Sequence, residues 1–228
     1  MIRAVIFDLD GTLTVFNLDI NACRTEVIKE LAKQGLPRSL FSLKESAFDM
    51  LVKVERYLRA KGIQTQEFFK SRKTVFSVVE SFELEAARTT KMFPGVPETL
   101  QTLREMNLKI ALCTISGERA TSYLLKRFHI EQFFNAIITR ESVTEVKPHP
   151  SHLEAALDAL KLRSHEAMLV GDSVKDMECA RQLTVLAVGV TTGISSRKEL
   201  NRSGAHYIVS SIDDVPTLIR QLPKNYDN

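Results

Sequence analysis

Two aspartates near the N-terminus, Asp8 and Asp10, are the first residues of the chain that could do chemistry. They follow residues 2–7, whose β-branched and apolar character predicts a strand buried on both faces, and Gly11 permits a sharp turn after them. Two carboxylates at the end of a buried strand are costly to desolvate unless a cation or hydrogen bonds compensate. The alternative is an Asp-Gly turn that only closes the strand. The other polar groups of the chain decide between such a turn and a functional site.

Polar side chains also follow two later apolar segments. Thr114 comes directly after residues 109–113, and Asp172 comes after residues 167–170 and Gly171. Ligands of parallel α/β sheets bind at the carboxyl ends of the strands, so we expect these side chains at the same edge as the aspartate pair. This convergence of three strand ends is the strongest physical indication of an active site.

Lys147 and Asp176 complete the set of candidates, and each also has an ordinary structural explanation. Lys147 precedes Pro148 and can be a solvated loop lysine. Ser173 and Asp176 have the spacing of a capping box, in which Asp176 only helps to start a helix. A capping role is compatible with a supporting position beside an active site.

The residue types at these positions suit phosphoryl transfer with a magnesium ion. Carboxylate oxygens in small number are the protein ligands that Mg²⁺ takes, with waters and substrate phosphate completing its octahedron. One carboxylate can attack phosphorus to form an aspartyl-phosphate, and a second can protonate the leaving alcohol and then activate water. Thr114 and Lys147 can supply the hydrogen-bond donors and positive charge that phosphoryl oxygens require.

The elements that must position these residues alternate between strands and helices. After the first strand, further strands are predicted at residues 109–113, 136–139, 167–170, 186–190 and 207–209. This alternation predicts an α/β fold, a Rossmann-like three-layer structure with a parallel sheet covered on both faces. The chain contains neither GxxxxGK[ST] nor GxGxxG, so it has no P-loop and no dinucleotide fingerprint.

Residues 15–91 differ in character from the rest of the chain. They hold seven of the twelve phenylalanines, and their apolar spacing predicts helices at about 19–34, 42–61 and 65–90. We therefore predict a small all-helical domain of residues 15–91, inserted into a core of residues 1–14 plus 92–228. Its 14 Lys and Arg against 10 Asp and Glu fit either steering of an anionic substrate or ordinary solvated helix faces.

Composition argues against several other classes of protein. The chain has 44% hydrophobic and 26% charged residues and no apolar run of the roughly 20 residues that span a bilayer, so no membrane partner is expected. A net charge of +3 is too small to indicate a nucleic-acid partner.

Cys23, Cys113 and Cys179 lie far apart, which indicates free thiols in a reducing cytoplasm. His149 and His152 have no third soft ligand nearby, so we expect loop and helix-start roles for them.

Four motifs, in this order, resemble those of the haloacid dehalogenase (HAD) superfamily. They are Asp8-x-Asp10-Gly11-Thr12, Thr114 after a hydrophobic strand, Lys147-Pro148, and Gly171-Asp172-x-x-x-Asp176. The resemblance covers the whole chain, because the helical insert lies where that family places its C1 cap. It is closest to members that resemble phosphoglycolate phosphatase.

The resemblance implies a nucleophile, an acid/base group and a Mg²⁺ site. Asp8 would attack phosphorus and ligate Mg²⁺ through its other carboxylate oxygen. Asp10 would be the general acid and base, with its backbone carbonyl on the metal. Asp172 would complete the protein ligands.

The resemblance also implies which residues hold the phosphoryl group and support the site. Thr114, the backbone amide of Ile115, and Lys147 would bind the phosphoryl oxygens, and Lys147 would also orient the nucleophile. Thr12 would support the nucleophile loop, and Asp176 would hold either a metal-bound water or Lys147. Ile115 is a departure, since the family commonly has a small polar residue there.

The implied function is that of a cytoplasmic, Mg²⁺-dependent phosphatase, a monomer or homodimer, acting on small phosphorylated metabolites. Phosphoglycolate-like compounds and sugar phosphates are the expected substrates. Two alternatives remain open from sequence: a phosphomutase of the same superfamily and a non-catalytic module that binds a phospholigand. Residues 15–19 lack the Asp-Ser often seen there in phosphoglycolate-type enzymes, so the substrate does not follow from the motifs.

Overall fold

The computed structural model of the chain describes residues 1–63 and 65–223. The strands in these ranges are β1 (Ala4–Phe7), β2 (Lys109–Cys113), β3 (Ala136–Ile138), β4 (Ala167–Gly171), β5 (Leu186–Val190) and β6 (Tyr207–Val209). The α-helices are α1 (Ile20–Lys33), α2 (Ala47–Ala60), α3 (Thr65–Thr89), α4 (Val96–Glu105), α5 (Glu118–Arg127), α6 (Ser151–Leu160), α7 (Val174–Gln182), α8 (Arg197–Arg202) and α9 (Val215–Gln221). None of these helices is long and apolar enough to cross a membrane.

The six strands form one parallel sheet in the order β3-β2-β1-β4-β5-β6. The predicted α/β fold with a parallel sheet is therefore confirmed. The strand order reverses at β1, so the crevice beyond the carboxyl ends of β1 and β4 is the position where open α/β sheets bind ligands.

The central strand β1 is buried because it is apolar on both faces. All four residues of β1 are fully buried. Ala4 and Ile6 belong to a core cluster that includes apolar residues of α6 and α7, and Val5 and Phe7 point to the opposite face by the alternation of a strand.

The chain divides into two compact units. One comprises Met1–Phe16 and the chain from Thr90 onward, and the other comprises Asn17–Thr89. The boundary lies slightly inside the predicted insert because the outgoing and returning chains pair in the first unit: Val15 N donates to Lys91 O at 2.8 Å. The assignment of the two units as a catalytic core and a cap stays a prediction.

The second unit is a three-helix structure with its own apolar core. Both α1 and α2 pack on α3, around buried residues such as Val27, Met50 and Val75. Helix α2 begins at Ala47, later than the predicted start at 42, because Ser46 and Asp49 form a capping box.

Candidate active site

The N-terminal aspartates are carried by a tight loop that follows β1. The amides of Thr12, Leu13 and Thr14 all donate to the carbonyl of Leu9, at 2.8 to 3.3 Å. Gly11 adopts φ 91°, a conformation that glycine reaches without steric cost. The loop therefore presents Asp8 and Asp10 in fixed positions at the end of the central strand.

Lys147 lies at the centre of the site and is not a solvated loop lysine. Its side chain is buried, and Nζ donates to Asp8 Oδ1 at 2.7 Å, Cys113 O at 2.7 Å and Asp176 Oδ1 at 2.5 Å. Burial by itself lowers the pKa of the ammonium, but the carboxylates of Asp176 and Asp8 outweigh it, so the pKa of Lys147 is raised. The lysine is therefore a fixed positive charge that uses all three of its protons.

Asp8 has one oxygen held by the protein and one left open. Oδ1 accepts from Lys147, whereas Oδ2 accepts no hydrogen bond from residues 1–63 and 65–223. Burial raises the pKa of Asp8; Lys147 acts to lower it, and the carboxylates of Asp176 and Asp172 raise it further. A bound cation would oppose this increase and favour the ionised carboxylate that a nucleophile requires.

Asp10 has a different set of partners from Asp8. Ser116 Oγ donates to Asp10 Oδ2 at 2.5 Å, and Thr14 Oγ1 donates to Oδ1 at 3.3 Å. Burial raises the pKa of Asp10, and the hydrogen bonds from the two hydroxyls lower it in part. A raised carboxyl pKa is a property that a general acid requires near neutral pH.

The turn after β2 offers unused hydrogen-bond donors. Thr114 is buried, and its Oγ1 accepts from Ser116 N at 3.1 Å, while its hydroxyl hydrogen has no acceptor among the described residues. The amide of Ile115 likewise has no acceptor in that part of the chain, and its carbonyl accepts from Arg140 Nη1 at 3.2 Å. These two donors are available to an anion.

Asp172 is held by the loops after β1 and β5. Thr12 Oγ1 donates to Asp172 Oδ1 at 3.4 Å, and Ile194 N donates to Oδ2 at 2.7 Å. A methyl group at Gly193 would lie 1.9 Å from Asp172 Oδ2, so a larger residue there would displace this carboxylate. Burial, followed by repulsion from Asp176, raises the pKa of Asp172 to about 6.

The carboxylates of Asp8, Asp172 and Asp176 fit a divalent cation. Each offers an oxygen within 4.8 Å of the others, and the one ammonium among them leaves an excess of negative charge that raises the pKa of Asp8 and Asp172. Asp176 is the poorest ligand of the three, because Lys147 occupies its Oδ1 and Ser173 donates to its Oδ2. Asp8 Oδ2 accepts no hydrogen bond from the described residues, and the Asp172 oxygens accept from a neutral hydroxyl and an amide, not from an ammonium, so these two side chains could hold Mg²⁺.

Asp176 makes a helix-capping contact and a contact with Lys147. It forms the capping box of α7 with Ser173, and it binds Lys147 Nζ. The start of the helix thus fixes the lysine that contacts Asp8.

The two histidines have separate environments. His149 lies in the loop before α6, where Nε2 pairs with Glu145 at 2.9 Å. His152 is fully buried in the first turn of α6, and its Nδ1 accepts from Lys147 N at 3.2 Å. Burial lowers the pKa of His152 to about 4, so it stays neutral and supports the backbone of Lys147.

Four hydrogen bonds of the site are made by residues outside the candidates from sequence. Thr14 and Ser116 donate to Asp10, Ile194 N donates to Asp172, and Thr192 Oγ1 donates to Gly11 O at 2.6 Å. Ser116 follows the Thr114 motif by two residues, which was the one available signal. The loop after β5 carries no charged residue, so its role follows only from the sheet order.

Comparisons with known proteins agree with this fold. The family described as haloacid dehalogenase-like hydrolase matches residues 5–190. A phosphoglycolate phosphatase of Nitrosospira multiformis is 27% identical over 96% of both chains, and one of Cereibacter sphaeroides is 30% identical over 96% of this chain and 98% of its own. A crystal structure from Bacteroides fragilis, titled as a putative haloacid dehalogenase-like hydrolase, has a TM-score of 0.70 at 22% identity and covers 94% of this chain and 100% of its own.

Proposed function

Because the chain belongs to the haloacid dehalogenase-like hydrolase family, we propose that it is a Mg²⁺-dependent phosphatase that works through an aspartyl-phosphate on Asp8. The observation that carries the proposal is the arrangement around this side chain. Lys147 binds Asp8 Oδ1 at 2.7 Å, and Oδ2 has no donor among residues 1–63 and 65–223; Thr114 and Ile115, after the neighbouring strand, have donors that no acceptor in these ranges uses.

In the first step, an Asp8 oxygen forms a bond to phosphorus as the bond from phosphorus to the ester oxygen breaks. Asp10 gives its proton to the leaving oxygen, which departs as the alcohol. The Thr114 hydroxyl and the Ile115 amide donate hydrogen bonds to the phosphoryl oxygens, and the Lys147 ammonium, whose protons already have acceptors, stabilises their negative charge electrostatically.

In the second step, water attacks phosphorus and Asp10 takes a proton from it. The bond between phosphorus and Asp8 breaks, which releases inorganic phosphate and restores both carboxyl groups to their starting states. Ser116 and Thr14 hold Asp10 in one orientation for both proton transfers.

The metal-binding groups that we propose are the carboxylates of Asp8 and Asp172 and the backbone carbonyl of Asp10. A bound Mg²⁺ would neutralise charge on the phosphoryl group and keep Asp8 ionised. Asp176 supports the site through Lys147, and Thr12 supports it through Asp172.

The proposed substrates are small phosphomonoesters, with phosphoglycolate-like compounds first because two relatives carry the name phosphoglycolate phosphatase. The three free, buried cysteines are consistent with a protein of the reducing cytoplasm. We propose that the protein is a monomer or homodimer. Residues 17–89 are proposed as the cap that restricts access to small molecules.

A panel of phosphorylated metabolites and p-nitrophenyl phosphate, assayed with and without Mg²⁺, tests this function. We expect Mg²⁺-dependent release of phosphate that EDTA abolishes and that Asp8→Asn reduces at least about 1,000-fold, since no nucleophile remains. Unchanged circular dichroism of the variant serves as the folding control. Isomerisation of a sugar phosphate without net phosphate release would instead identify a mutase.

A further inference from the structure

Arg140, which follows β3, is the largest fully buried side chain among the described residues, at 1% exposure. A guanidinium is always charged and carries five N–H donors, and burial of such a group is costly unless its donors are bonded. Nε donates to Glu141 Oε1 at 3.2 Å, and Nη1 donates to Ile115 O at 3.2 Å. The side chain therefore joins its own loop to the turn after β2.

The bond to Ile115 does more than compensate the charge of the guanidinium. Glu141 already supplies a carboxylate, and its side chain is 37% exposed, so the ion pair alone would not require Arg140 to reach the turn. The backbone of Arg140 reaches the same turn, because Arg140 N donates to Ser116 O at 3.3 Å. Two donors of one residue thus hold the peptide units on both sides of Ser116.

The peptide unit between Ile115 and Ser116 connects Arg140 to Thr114. Its carbonyl accepts from the guanidinium, and its N–H donates to Thr114 Oγ1 at 3.1 Å. Hydrogen bonds in such a chain polarise one another, so a cation at one end strengthens the donors that follow. Because Ser116 N occupies a lone pair of Oγ1, the hydroxyl hydrogen of Thr114 points away from Ser116, and it has no acceptor among residues 1–63 and 65–223.

We propose that Arg140 is a positioning residue that orients and polarises the Thr114 hydroxyl as a donor to the phosphoryl group. The guanidinium acts through the peptide unit between Ile115 and Ser116 and does not itself contact the substrate. This inference rests on the proposed phosphatase function, since the acceptor of the Thr114 hydrogen is the phosphoryl group in transfer. An oriented donor contributes most where charge develops in the transition state, so the loss of Arg140 should change kcat more than KM.

Steady-state kinetics of Arg140→Met, Thr114→Val and the double variant test this role. Methionine keeps an unbranched apolar chain at position 140 and removes the donors. We expect Arg140→Met to lower kcat about tenfold with KM changed less than about twofold, and Thr114→Val to lower kcat about 100-fold. In the Thr114→Val background, Arg140→Met should change kcat less than about twofold, because the chain of hydrogen bonds then lacks its last member.

Arg104→Met is the matched control, since it removes the same charge and a guanidinium bond to a backbone carbonyl, from Arg104 Nη1 to Phe133 O at 3.3 Å, away from the site. It should leave kcat unchanged. Additive losses in the double variant of Arg140 and Thr114 would overturn the proposal, because Arg140 would then act independently of Thr114. If Arg140→Met does not fold, Arg140→Lys, which keeps the charge without the planar fork of donors, takes its place in the same measurements.

A measurement without substrate separates this inference from the phosphatase function. In the NMR spectrum of the full chain, the amide proton of Ser116 should move upfield in Arg140→Met, because its bond to Thr114 Oγ1 weakens, and should not move in Arg104→Met. A Ser116 resonance that Arg140→Met leaves in place would overturn the role of Arg140 alone. Absence of phosphate release by the unmodified chain would instead overturn the phosphatase function.

Discussion

At the level of single residues, Asp8 and Asp10 differ in the kind of hydrogen-bond donor that contacts each carboxylate. Asp8 pairs with the Lys147 ammonium, whereas Asp10 accepts hydrogen bonds from the neutral hydroxyls of Ser116 and Thr14. Burial raises both pKa values; the Lys147 ammonium opposes this for Asp8, whereas the carboxylates of Asp176 and Asp172 add to it. A divalent cation beside Asp8 and Asp172 would add to the effect of the lysine and favour the ionised form of Asp8, while Asp10 has only hydroxyl donors. Environments that differ in this way allow one carboxyl group to act as nucleophile and the other as acid and base.

Ser116→Ala tests the orientation of Asp10. The hydroxyl lowers the Asp10 pKa, so its removal should raise that pKa and move the alkaline limb of the kcat/KM profile, where Asp10 loses the proton needed in the first step, to higher pH by about one pH unit. We also expect kcat to fall about tenfold with little change in KM, because Asp10 acts in the transition states. Steady-state assays from pH 5 to pH 9 measure both effects.

Ser81→Ala is the matched control for this variant, because its hydroxyl bonds only to Val78 O in its own helix. Ser81→Ala should leave both the pH profile and kcat unchanged. A Ser116→Ala enzyme whose pH profile coincides with that of the unmodified enzyme would show that Asp10 does not depend on this hydrogen bond.

At the level of elements, the loop after β5 controls the position of Asp172. Ile194 N binds Asp172 Oδ2, and Gly193 lies against the same carboxylate. The loop makes these contacts because β5 is the neighbour of β4 in the sheet, which brings the two carboxyl ends together. An uncharged loop thus belongs to the proposed metal site.

Gly193→Ala should therefore weaken Mg²⁺ activation without changing any proposed ligand. The added methyl group would lie 1.9 Å from Asp172 Oδ2, so the carboxylate must move away. We expect the Mg²⁺ concentration for half-maximal activity to rise about tenfold or more, since displaced or lost supporting contacts typically reduce metal affinity 10- to 100-fold. Titration of phosphatase activity with Mg²⁺ measures it.

Gly189→Ala, in β5 itself, is the control for a methyl group added nearby. Its Cβ would meet the flexible Leu200 side chain at 3.1 Å. The packing around Leu200 should therefore change, whereas the position of the Asp172 carboxylate should not. Equal Mg²⁺ requirements in the Gly193→Ala and unmodified enzymes would contradict the assigned role of the loop.

The sequence predicted the parts of the site that depend on strand ends. Apolar segments followed by Asp8, Thr114 and Asp172 identified adjacent parallel strands, because such residues meet at one edge of a sheet. The contact of Ser116 with Asp10 could not be predicted, since it spans more than a hundred residues and depends on the exact turn after β2. The closeness of Gly193 to Asp172 likewise follows only from the order of β4 and β5.

At the level of the whole molecule, the carboxylate cluster links stability to pH and to metal. Asp172 has a pKa of about 6 in the folded chain, above the usual value of about 3.9 for an unfolded chain. Protonation therefore favours the folded state: this contribution is fully present below about pH 4 and is lost as the pH rises through 6. A bound divalent cation would remove the penalty at higher pH.

The metal-free protein should accordingly lose stability between pH 4 and pH 7 through Asp172, by about 3 kcal/mol at most. His152, with its pKa lowered to about 4, makes the folded state less stable as the pH falls below 6.5, which opposes the effect of Asp172. The contribution of Asp172 is therefore measured as the difference between the unmodified chain and Asp172→Asn in urea unfolding.

Mg²⁺ should raise the melting temperature of the unmodified chain more at pH 7.5 than at pH 5, and should have little effect on Asp172→Asn. A stabilisation by Mg²⁺ that is the same at both pH values, or that survives in the variant, would place the ion elsewhere.

The central claim is that Asp8 carries the phosphoryl group during turnover. The most direct measurement is to quench the enzyme during hydrolysis of a good substrate with sodium borohydride, which reduces an aspartyl-phosphate to homoserine, and to locate the modified residue by mass spectrometry of peptides. We predict homoserine at position 8, dependent on both substrate and Mg²⁺. An active enzyme that yields no homoserine, or yields it at another aspartate, would contradict the account.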